Sequence, residues 1–440
     1  MSDLLSVEAA RERVLAAIPG PLRSERVDVE DALGRVLAEA ARSRTDLPPW
    51  DNSAMDGYAI RSADVAAASE DSPVRLRIVG EARAGQAPDV VVGAGTAVRI
   101  ATGAPLAPGA DAVIPVEETT PIDELGRAVG PRGRDATGPV PAACLVHQAV
   151  AAGGSVRRRG EDLHAGAVVL EPGTAVAAAG VAIAAGAGLA ELTVHARPRV
   201  GVLATGDEIR TAGRALGPAG IPDANGPGLR SLVRAAGATA TSLGIASDRL
   251  DDVLGRLQAA LAKLDLAIVS GGVSVGPYDV VRNAFEALGQ VDLWRVAVQP
   301  GKPFAFGVAA RGDGSVVPLF GLPGNPVSSF VTFELFVRPA LRRLAGYSEI
   351  LRPVDRALLM SAVGKAPGRR AFIRVRSRRE ADGGPRRDRT GRVIVDLAGG
   401  QGSHVLSALA AADGLVVVPE SVDGLPENSE VELWWLDSAR

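Results

Sequence analysis

The chain has 440 residues, with 48 basic and 51 acidic side chains and a formal net charge of −3. This length exceeds what one hydrophobic core usually supports, so about three or four domains are expected. The near balance of charge gives no overall field that would attract nucleic acid or an anionic membrane surface, and any anion site has to be local.

The cysteine and histidine content argues against several kinds of site. Cys144 is the only cysteine, which excludes an intramolecular disulfide and a thiolate metal cluster. The histidines show no metal-ligand spacing and are interpreted as structural or exposed: His147, His164, His195 and His404. The N-terminal segment favours an amphipathic helix over a signal peptide, and the charge-free runs contain too much alanine and glycine for membrane spans. A cytoplasmic protein is therefore expected.

Helical periodicity marks the N-terminal part of the chain. Residues 28–38 (DVEDALGRVLA) place Leu33, Val36 and Leu37 on one face, which predicts a helix. From about residue 42 to residue 137, the pattern changes to short apolar alternations interrupted by Gly and Pro. This change predicts a β-rich domain.

A segment rich in Gly and Ala follows, from residue 157 to about residue 191. It begins RRRGEDLHAGAVVLEPGT, which favours a hairpin-like stretch, and continues as a predicted helix. Beyond residue 197, strands alternate with helices, which indicates a parallel sheet with ligand-binding loops at the carboxyl ends of its strands. The predicted elements are a strand at 200–205, a helix at 228–236, a strand at 240–246, a helix at 251–264 with Asp248 as its N-cap candidate, and a strand at 265–270.

The last part of the chain holds one long helix and a set of strands. Residues 327–346 show a strongly amphipathic pattern, which predicts a helix stopped by Gly346. From about residue 351, alternating segments predict a small β-barrel or β-sandwich. The arginine-rich runs RVRSRRE and PRRDRTGR are interpreted as a solvated face rather than a nucleic-acid site.

The stretch PPWDNSAMDGYA, residues 48–59, concentrates oxygen ligands in a loop. Its prolines favour an extended approach, and Asp51, Asn52 and the Asp56-Gly57 pair are turn formers. Taken alone, it is typical of an ordinary surface turn. A carboxylate site for a hard cation or a phosphorylated ligand is the functional interpretation, and that site needs partners elsewhere in the chain.

Four loops of the predicted α/β domain carry groups that bind anions or metals. Walker and dinucleotide-binding loops are excluded, because Pro303 follows Gly301-Lys302 and no G-x-G-x-x-G opens a helix after a strand. Each loop alone is typical of any α/β domain, but their coincidence indicates a phosphate site with a divalent metal. The loops supply carboxylates, backbone amides and a lysine: TGDE (205–208), SGGVSVGPYD (270–279), QPGKPFAFG (299–307) and GLPGNPVSS (321–329).

Ten stretches along nearly the whole chain occur in the order that one protein family uses. They are DNSAMDGYA (51–59), AGQ (84–86), RIATGAP (99–105), RRRGEDLHAGA (157–167), TGDE (205–208), LGIASD (243–248), SGGVSVGPYD (270–279), PGKPFAFG (300–307), GLPGNPVS (321–328) and QGSH (401–404). In this series the chain resembles the molybdopterin molybdotransferase family, of the MoeA and gephyrin E-domain type. The resemblance implies an enzyme that inserts molybdenum from molybdate into adenylylated molybdopterin, with Mg²⁺-dependent release of AMP, in the last step of molybdenum cofactor synthesis.

The same resemblance implies a multidomain α/β and β fold, and a homodimer whose cleft lies between the α/β domain of one subunit and the acid-rich domain of the other. The expected parts are a three-layer α/β domain with a parallel-type, molybdopterin-binding-like sheet, a β-rich accessory domain, a small linking domain and a C-terminal β-barrel-like domain. Their expected bounds are 1–24 for an N-terminal helix packing on the α/β domain, 25–44 plus 142–195 for the linking domain, 45–141 for the accessory domain, 196–348 for the α/β domain and 349–440 for the C-terminal domain.

Carried over motif by motif, the resemblance implies a set of site residues. The implied catalytic residues are Asp56, Thr102, Asp162, Glu208, Asp248 and Asp279. Of these, Asp56, Glu208 and Asp279 are expected to hold Mg²⁺. The implied substrate-binding residues are Ser270, Gly271, Gly272, Ser274, Arg295, Lys302, Pro323, Gly324, Asn325 and Pro326.

A mechanism follows as a hypothesis. Asp56 and Glu208 are expected to face one cleft from opposite domains and to position Mg²⁺ and the water or oxyanion that attacks phosphorus. Thr102 and the amides of residues 270–272 would hold oxyanions, and the metal would neutralise charge on the pyrophosphate.

Several positions depart from the family pattern. Arg295 and Gln299 stand where the family commonly has lysines, so one expected cation is missing. Ala224 replaces a hydroxyl residue, and Pro277-Tyr278 replaces an acidic and a small residue. Residues 157–159, three arginines, are interpreted either as compensating charge or as solvated side chains.

Three alternative functions are considered. A molybdopterin adenylyltransferase is disfavoured, because DNSAMDGYA and the C-terminal β domain belong to the insertion enzyme. A gephyrin-like scaffold is disfavoured, because no peptide groove is visible. A tungstate-specialised or inactive paralogue stays open because of Gln299. The expected partners are a second copy, a molybdopterin adenylyltransferase and molybdoenzyme-maturation proteins, with no nucleic acid and no membrane.

Overall fold

The computed structural model describes residues 4–133, 138–272 and 280–436, apart from the side chains of residues 292–294. The chain begins with α1 (Val7–Ala16), β1 (Ser24–Asp28) and β2 (Ala41–Arg42). The predicted N-terminal helix is confirmed as α1, and the hydroxyl of Ser6 caps it by accepting a hydrogen bond from the Ala9 amide at 3.1 Å.

The predicted helix over residues 28–38 is wrong. A short 3-10 turn, Glu30–Ala32, is followed by Gly34 with a φ of +69°, a conformation that ends a right-handed helix. The Gly34 amide then donates to the distant carbonyl of Val176 at 2.8 Å. Long-range backbone pairing therefore replaces helical pairing, and Leu33 remains 55% exposed.

The β-rich prediction for residues 42–137 is confirmed over its described part, residues 42–133. The strands are β3 (Asn52–Ser53), β4 (Gly57–Ile60), β5 (Val74–Ala82), β6 (Thr96–Ile100), β7 (Ala112–Pro115), β8 (Thr119–Ile122) and β9 (Ala143–Val146), with 3-10 turns at Ser62–Val65 and Val116–Glu118. Six of them form one sheet in the order β7-β4-β6-β5-β9-β8. Tyr58 and Ala59 are adjacent in β4 but belong to two different clusters of buried apolar side chains. The two faces of the sheet therefore pack against different cores.

The next segment closes the linking region. It comprises β10 (Val156–Arg157), β11 (Val168–Leu170), α2 (Ala178–Gly186) and β12 (Glu191–His195). The predicted helix is confirmed as α2, but the hairpin-like interpretation is wrong, because β10 pairs with β3 and β11 pairs with β2. Because β12 pairs with β1, the segment that follows the β-rich sheet in the sequence pairs with the segment that precedes it.

The α/β region contains the elements that surround the candidate site. They are β13 (Arg199–Thr205), β14 (Ile209–Arg210), β15 (Ile221–Pro222), α3 (Asn225–Ala235), β16 (Thr239–Ala246), α4 (Leu250–Leu261), β17 (Leu266–Ser270), α5 (Val280–Leu288), β18 (Gly289–Arg295), β19 (Val298–Gln299), β20 (Pro303–Ala310), β21 (Val316–Leu322), α6 (Pro326–Thr332), a π-helical turn (Phe333–Val337) and α7 (Arg338–Leu344). The predicted helix over residues 327–346 is thus one continuous helical segment, and Gly346 follows it with a φ of +83°.

One six-stranded sheet organises this region, in the order β16-β13-β17-β21-β20-β18. The first four strands are parallel, as expected. The β20 strand is antiparallel to both β21 and β18, because the short connections on either side of it leave no room for a crossover helix.

Alternating side chains of the central strands pack on opposite sides of the sheet. Val202 packs with α1, α3, α6 and α7, whereas Leu203 packs with α4 and α5. The three-layer arrangement is therefore confirmed.

The C-terminal part is a closed barrel, so the sandwich alternative is wrong. Its elements are β22 (Val354–Leu359), β23 (Val363–Gly364), β24 (Arg370–Ser377), β25 (Val393–Leu397), α8 (Leu406–Ala410), β26 (Gly414–Val418), β27 (Gly424–Leu425) and β28 (Ser429–Trp435). Neighbour pairing runs β24-β25-β22-β28-β26 and returns to β24. Closure leaves these strands without a free edge.

The barrel is packed against the α/β region. Phe372 and Leu415 belong to the same buried cluster as the helices α1, α3, α6 and α7. In the part of the chain that the structure describes, no helix has both the length and the apolar character needed to cross a membrane.

Candidate functional site

A cavity of about 920 Å³ lies at the carboxyl ends of the parallel strands. Ligands of open α/β sheets bind at this edge. The lining comes from the loops after β13 and β17, the start of α3, the loop before α6, the side of α5 and the barrel residue His404.

Two reciprocal hydrogen bonds join the loops after β13 and β16. The amides of Asp207 and Asp248 each donate to the carboxylate of the other, at 3.3 and 3.2 Å. The buried Thr205 hydroxyl also donates to Asp248, at 3.0 Å. The N-cap prediction for Asp248 is wrong, since its carboxylate is turned toward β13 and Arg249 occupies the N-cap position of α4.

Glu208 presents a carboxylate to the cavity. In the described residues this carboxylate has no hydrogen-bond or ion-pair partner. Gly206, with a φ of +148°, lies directly beneath it, and a Cβ there would be 2.7 Å from Glu208 Oε2. The glycine thus leaves space for the carboxylate at the cavity wall.

Asn225 hydrogen-bonds to two other segments that line the cavity. Its side-chain amide donates to Ser270 Oγ at 2.8 Å and to the Gly324 carbonyl at 2.7 Å. The Ser270 hydroxyl in turn approaches the Pro323 carbonyl at 3.4 Å. This network holds the start of α3, the end of β17 and the GLPGNP loop in one arrangement.

The glycines after β17 differ in what their amides can do. The Gly271 amide donates to the Leu322 carbonyl at 3.1 Å, so the expectation that it holds an oxyanion is wrong. Gly271 is nevertheless required, because its φ is +97° and a Cβ would lie 2.3 Å from the Thr205 carbonyl oxygen. The Gly272 amide makes no hydrogen bond in the described chain and remains available to an anion.

His404 reaches the same cavity from the barrel. It is exposed, as expected, but its place in the cavity wall was not anticipated. The buried Arg374 donates from Nη2 to the carbonyls of Gly400 and Gly402 at 3.0 and 3.2 Å, and Gln401 bonds the Arg374 backbone in both directions. The loop that carries His404 is therefore held by the barrel.

The basic side chains lie at the other end of the same sheet edge. Lys302 immediately precedes β20, and Arg295 ends β18 opposite Pro303. Neither lines the cavity. Three strand spacings separate β13 from β20, roughly 14 Å, so acidic and basic groups occupy opposite ends of one edge. The Oε1 atom of Gln299 accepts a hydrogen bond from the Ala366 amide at 3.1 Å, so the side chain is turned toward the barrel strand region and adds no charge to the basic end.

Asp56 is held in one geometry by Thr102. The Thr102 amide and hydroxyl donate to Asp56 Oδ1 at 2.6 and 2.8 Å, which lowers the pKa of this carboxyl below its ordinary value. Gly57 has to be glycine, because a Cβ would lie 2.0 Å from the Ile114 carbonyl oxygen. Neither Asp56 nor Thr102 lines the cavity in this chain.

The arginines at residues 158 and 159 do not supply free positive charge. Arg158 Nη1 donates to Asp51 at 2.7 Å, and Arg159 Nε donates to Asp46 at 2.5 Å. These contacts join the chain just after β10 to the chain just before β3. The Asp162 amide donates to the Leu47 carbonyl at 3.0 Å, and its exposed side chain lies outside the cavity wall.

Two of the expected residues, Ser274 and Asp279, lie outside the described residues, as do Pro277 and Tyr278. Within the described parts, no group of three or more His, Cys, Asp and Glu side chains could hold a metal ion. Mg²⁺ needs fewer protein ligands than this, because it keeps several waters and binds through one or two carboxylates and substrate phosphates. The partner-free Glu208 carboxylate at the cavity wall fits that kind of site.

The expected site residues thus fall into two groups. The cavity brings together Glu208, Asp248, Ser270, Gly271, Gly272, Gly324, Asn325 and Pro326. It leaves out Asp56, Thr102, Asp162, Arg295, Lys302 and Pro323, although the Pro323 carbonyl contacts Ser270. Sequence reasoning missed Thr205, Asn225 and His404. The stretch QGSH was a signal for the last, and the position of Thr205 at the end of a buried strand was a signal for the first.

Three family models match successive parts of the chain. They are the MoeA N-terminal region (domains I and II) at residues 5–188, the probable molybdopterin-binding domain at residues 201–343, and the MoeA C-terminal region (domain IV) at residues 356–436. Together they cover most of the described fold.

Whole-chain relatives agree with these models. Molybdopterin molybdenumtransferase 2 of Mycobacterium tuberculosis is 36% identical over 430 residues, covering 96% of this chain and 98% of that protein. Molybdopterin molybdenumtransferase of Haemophilus influenzae is 32% identical over 422 residues, covering 95% of each. The crystal structure of the molybdopterin biosynthesis MoeA protein from Pyrococcus horikosii matches with a TM-score of 0.78 and 31% identity, over 99% of this chain and 100% of that one. The chain belongs to the MoeA family of molybdenum cofactor biosynthesis proteins.

Proposed function

We propose that this chain is a molybdopterin molybdenumtransferase, which takes adenylylated molybdopterin and molybdate, releases AMP and leaves molybdenum on molybdopterin. The observation that carries the proposal is the cavity at the carboxyl ends of the parallel strands, whose wall includes both the Glu208 carboxylate and Gly272. A carboxylate for a metal and an amide for an oxyanion are the groups that cleavage of a phosphoric anhydride needs. The names of the whole-chain relatives support the same activity.

The layout of charge along the sheet edge supports a long substrate. Glu208 follows β13 at one end. Lys302 precedes β20, three strand spacings or roughly 14 Å from β13, and Arg295 ends β18, four spacings or roughly 19 Å from β13. We infer that the diphosphate lies at the acidic end with its metal, and that the basic end attracts molybdate and the terminal phosphate oxygens. The guanidinium group of Arg295 is planar and carries several N–H donors, so it favours bidentate contact with an oxyanion.

The cavity is incomplete in one chain, which supports a homodimer. Asp56 is exposed, locked by Thr102 and ionised, yet its own chain places it away from Glu208. A second copy related by two-fold symmetry would bring the Asp56 loop of each subunit to the cavity of the other. Both cavities are completed by one interface of this kind.

Mg²⁺ is the proposed metal, with Glu208 and the Asp56 of the second copy as its protein ligands. When bound, it would neutralise charge on the diphosphate as the anhydride breaks. The chain's own residues do the positioning: Asn225 fixes Ser270, and Gly272 offers an amide to an oxyanion. The reciprocal hydrogen bonds between Asp207 and Asp248 hold the TGDE loop that carries Glu208.

The proposed function is tested by mixing the purified protein with adenylylated molybdopterin, Mg²⁺ and either molybdate or tungstate, and measuring AMP release. AMP release with molybdate supports the function. Release with tungstate alone identifies a tungstate-specialised paralogue, and no release with either oxyanion contradicts the proposal. A molybdopterin adenylyltransferase is the partner that would supply the substrate, and a molybdoenzyme-maturation protein would receive the product in the cytoplasm.

A further inference from the structure

Trp50 is an exposed aromatic side chain in a chain with few aromatic residues. Aromatic residues make up 3% of the sequence, and among those whose side chains the structure describes Trp50 is the most exposed, at 47%. In the described residues, its indole makes no hydrogen bond, ring contact or cation–π contact. Trp50 and Met55 together leave apolar surface open to a ligand on the loop that carries Asp56.

The backbone around Trp50 is well anchored. The Pro48 carbonyl accepts a hydrogen bond from Gly160 at 2.9 Å, and the Asp51 carboxylate accepts bonds from Arg158 at 2.7 Å and from the Arg159 amide at 2.8 Å. The Trp50 side chain thus projects from a fixed loop. That loop continues through Met55, which is 40% exposed, to Asp56.

The described cavity wall lacks a large aromatic side chain such as Trp50. Its described wall contains no phenylalanine, tyrosine or tryptophan, although the AMP half of the proposed substrate carries a flat heteroaromatic base. Bases bound by proteins commonly stack on aromatic side chains, since every base has a π-face. A second copy that brings Trp50 to this cavity would add a large aromatic ring to the described wall.

We propose that Trp50 stacks on the adenine ring of the adenylylated substrate bound in the cavity of a second copy. This inference rests on the proposed function and its dimer. Trp50 lies six positions before Asp56, so the loop that brings Asp56 to the diphosphate also brings the indole to the adenylate. Adenine is the occupant because it is fully aromatic and planar, whereas the pterin of molybdopterin is fused to a saturated ring. Trp50 is then a binding residue for the AMP half.

Binding of AMP and of ribose 5-phosphate, which lacks the base, tests this in the presence of Mg²⁺ by calorimetry. The intact protein should bind AMP more tightly than ribose 5-phosphate. Trp50→Ala should weaken AMP binding roughly 5- to 100-fold and leave ribose 5-phosphate binding unchanged, whereas Trp50→Phe should stay within a few-fold of the intact protein. Leu125→Ala, which removes an exposed apolar side chain of the same β-rich region, should change neither affinity.

Several results would overturn the inference. Equal affinity of the intact protein for AMP and ribose 5-phosphate would rule out adenine stacking. So would a ratio of these two affinities that is unchanged in Trp50→Ala. Weaker molybdopterin binding with unchanged AMP binding would assign the indole to the pterin. Dissociation of the Trp50→Ala dimer in analytical ultracentrifugation would assign it to a protein contact.

Steady-state kinetics separate this inference from the proposed function. If the intact protein releases no AMP from adenylylated molybdopterin, the proposed function fails. If it does release AMP, Trp50→Ala should raise the KM for adenylylated molybdopterin and leave the KM for molybdate unchanged. An unchanged KM for the adenylylated substrate would overturn the role of Trp50 alone.

Discussion

Thr102 lowers the pKa of Asp56 and fixes the orientation of its carboxylate. Both of its hydrogen bonds go to the ionised carboxylate, so they favour the charged form and lower the pKa of Asp56. The stability that this shift contributes is present above the unfolded-state pKa and is lost as the pH falls through the lower pKa of the folded state. At neutral pH, Asp56 is a fixed negative charge at the surface of its own chain.

Asp56→Asn should reduce the rate of AMP release by roughly 100-fold or more, because a neutral amide cannot balance the charge of a metal at the diphosphate. Asp71→Asn is the control, since Asp71 is an exposed aspartate of the same β-rich region. The measurement is AMP formation from adenylylated molybdopterin at saturating molybdate. A rate near that of the unchanged protein would remove Asp56 from the site.

Thr102→Val should move the acidic limb of the pH profile of kcat/KM to higher pH. Valine removes the hydroxyl bond to the carboxylate and keeps the backbone bond, so the pKa of Asp56 rises toward its ordinary value. Thr102→Ser keeps a hydroxyl and should leave the limb where it is. Identical limbs in the valine and serine variants would show that the Thr102 hydroxyl does not set the charge of Asp56.

The strand ends form the cavity through close backbone contact. Gly271 packs against the Thr205 carbonyl with no room for a side chain, and this contact lets the loops after β13 and β17 meet. Asn225 then joins the end of β17 to the loop before α6. These elements therefore act as one rigid wall.

Gly271→Ala should destabilise the protein by roughly 2 kcal/mol or more, through a strained φ and a clash with backbone. Gly228→Ala is the matched control, because Gly228 lies within α3 with no atom near its added Cβ, and it should stabilise by roughly 0.5 to 1 kcal/mol. The urea midpoint of each variant checks both signs. A Gly271→Ala protein as stable as the unchanged chain would contradict the packing argument.

A buried ion pair fastens the long C-terminal helix of the α/β region to the start of the barrel. Glu334 in the π-helical turn is nearly inaccessible and accepts two hydrogen bonds from Arg352 at 2.8 and 3.0 Å, with Arg338 3.8 Å away. Burial, together with the charge of Arg352, lowers the pKa of Arg338 to about 10. Glu334 is therefore the carboxylate that balances the guanidinium groups of the buried Arg338 and the largely buried Arg352.

Glu334→Gln should lower the free energy of unfolding by roughly 3 kcal/mol or more, because it leaves those two charges buried without a counterion. Asp251→Asn breaks an exposed pair with Arg249 and should change stability by less than about 1 kcal/mol. Urea unfolding compares the two variants. Equal small effects would show that Glu334 does not hold the junction.

Local pattern predicts a large part of the whole molecule, because the period of apolar residues reports which face of an element is buried. The strand Arg199–Thr205 and the helix α4 follow from such patterns. The helix expected over residues 28–38 fails, since Gly34 and distant backbone partners decide that segment.

Contacts between distant segments could not be predicted from the sequence. The Asp51–Arg158 pair and the Thr205–Asp248 bond join residues far apart in the chain, and no local period reports them. The motifs identified Glu208 and Asp56 as site residues, but only the structure shows that one chain keeps them apart.

Complementation between subunits tests the central claim most directly. Asp56→Asn and Glu208→Gln chains carrying different tags are co-expressed, the mixed dimers are purified over both tags, and AMP release is measured beside each parent homodimer. Two-fold symmetry gives each mixed dimer one cleft with both carboxylates intact, so about half of the unchanged dimer's rate is expected, while both parents stay inactive. Mixed dimers as inactive as their parents would contradict a site built from Asp56 of one copy and Glu208 of the other.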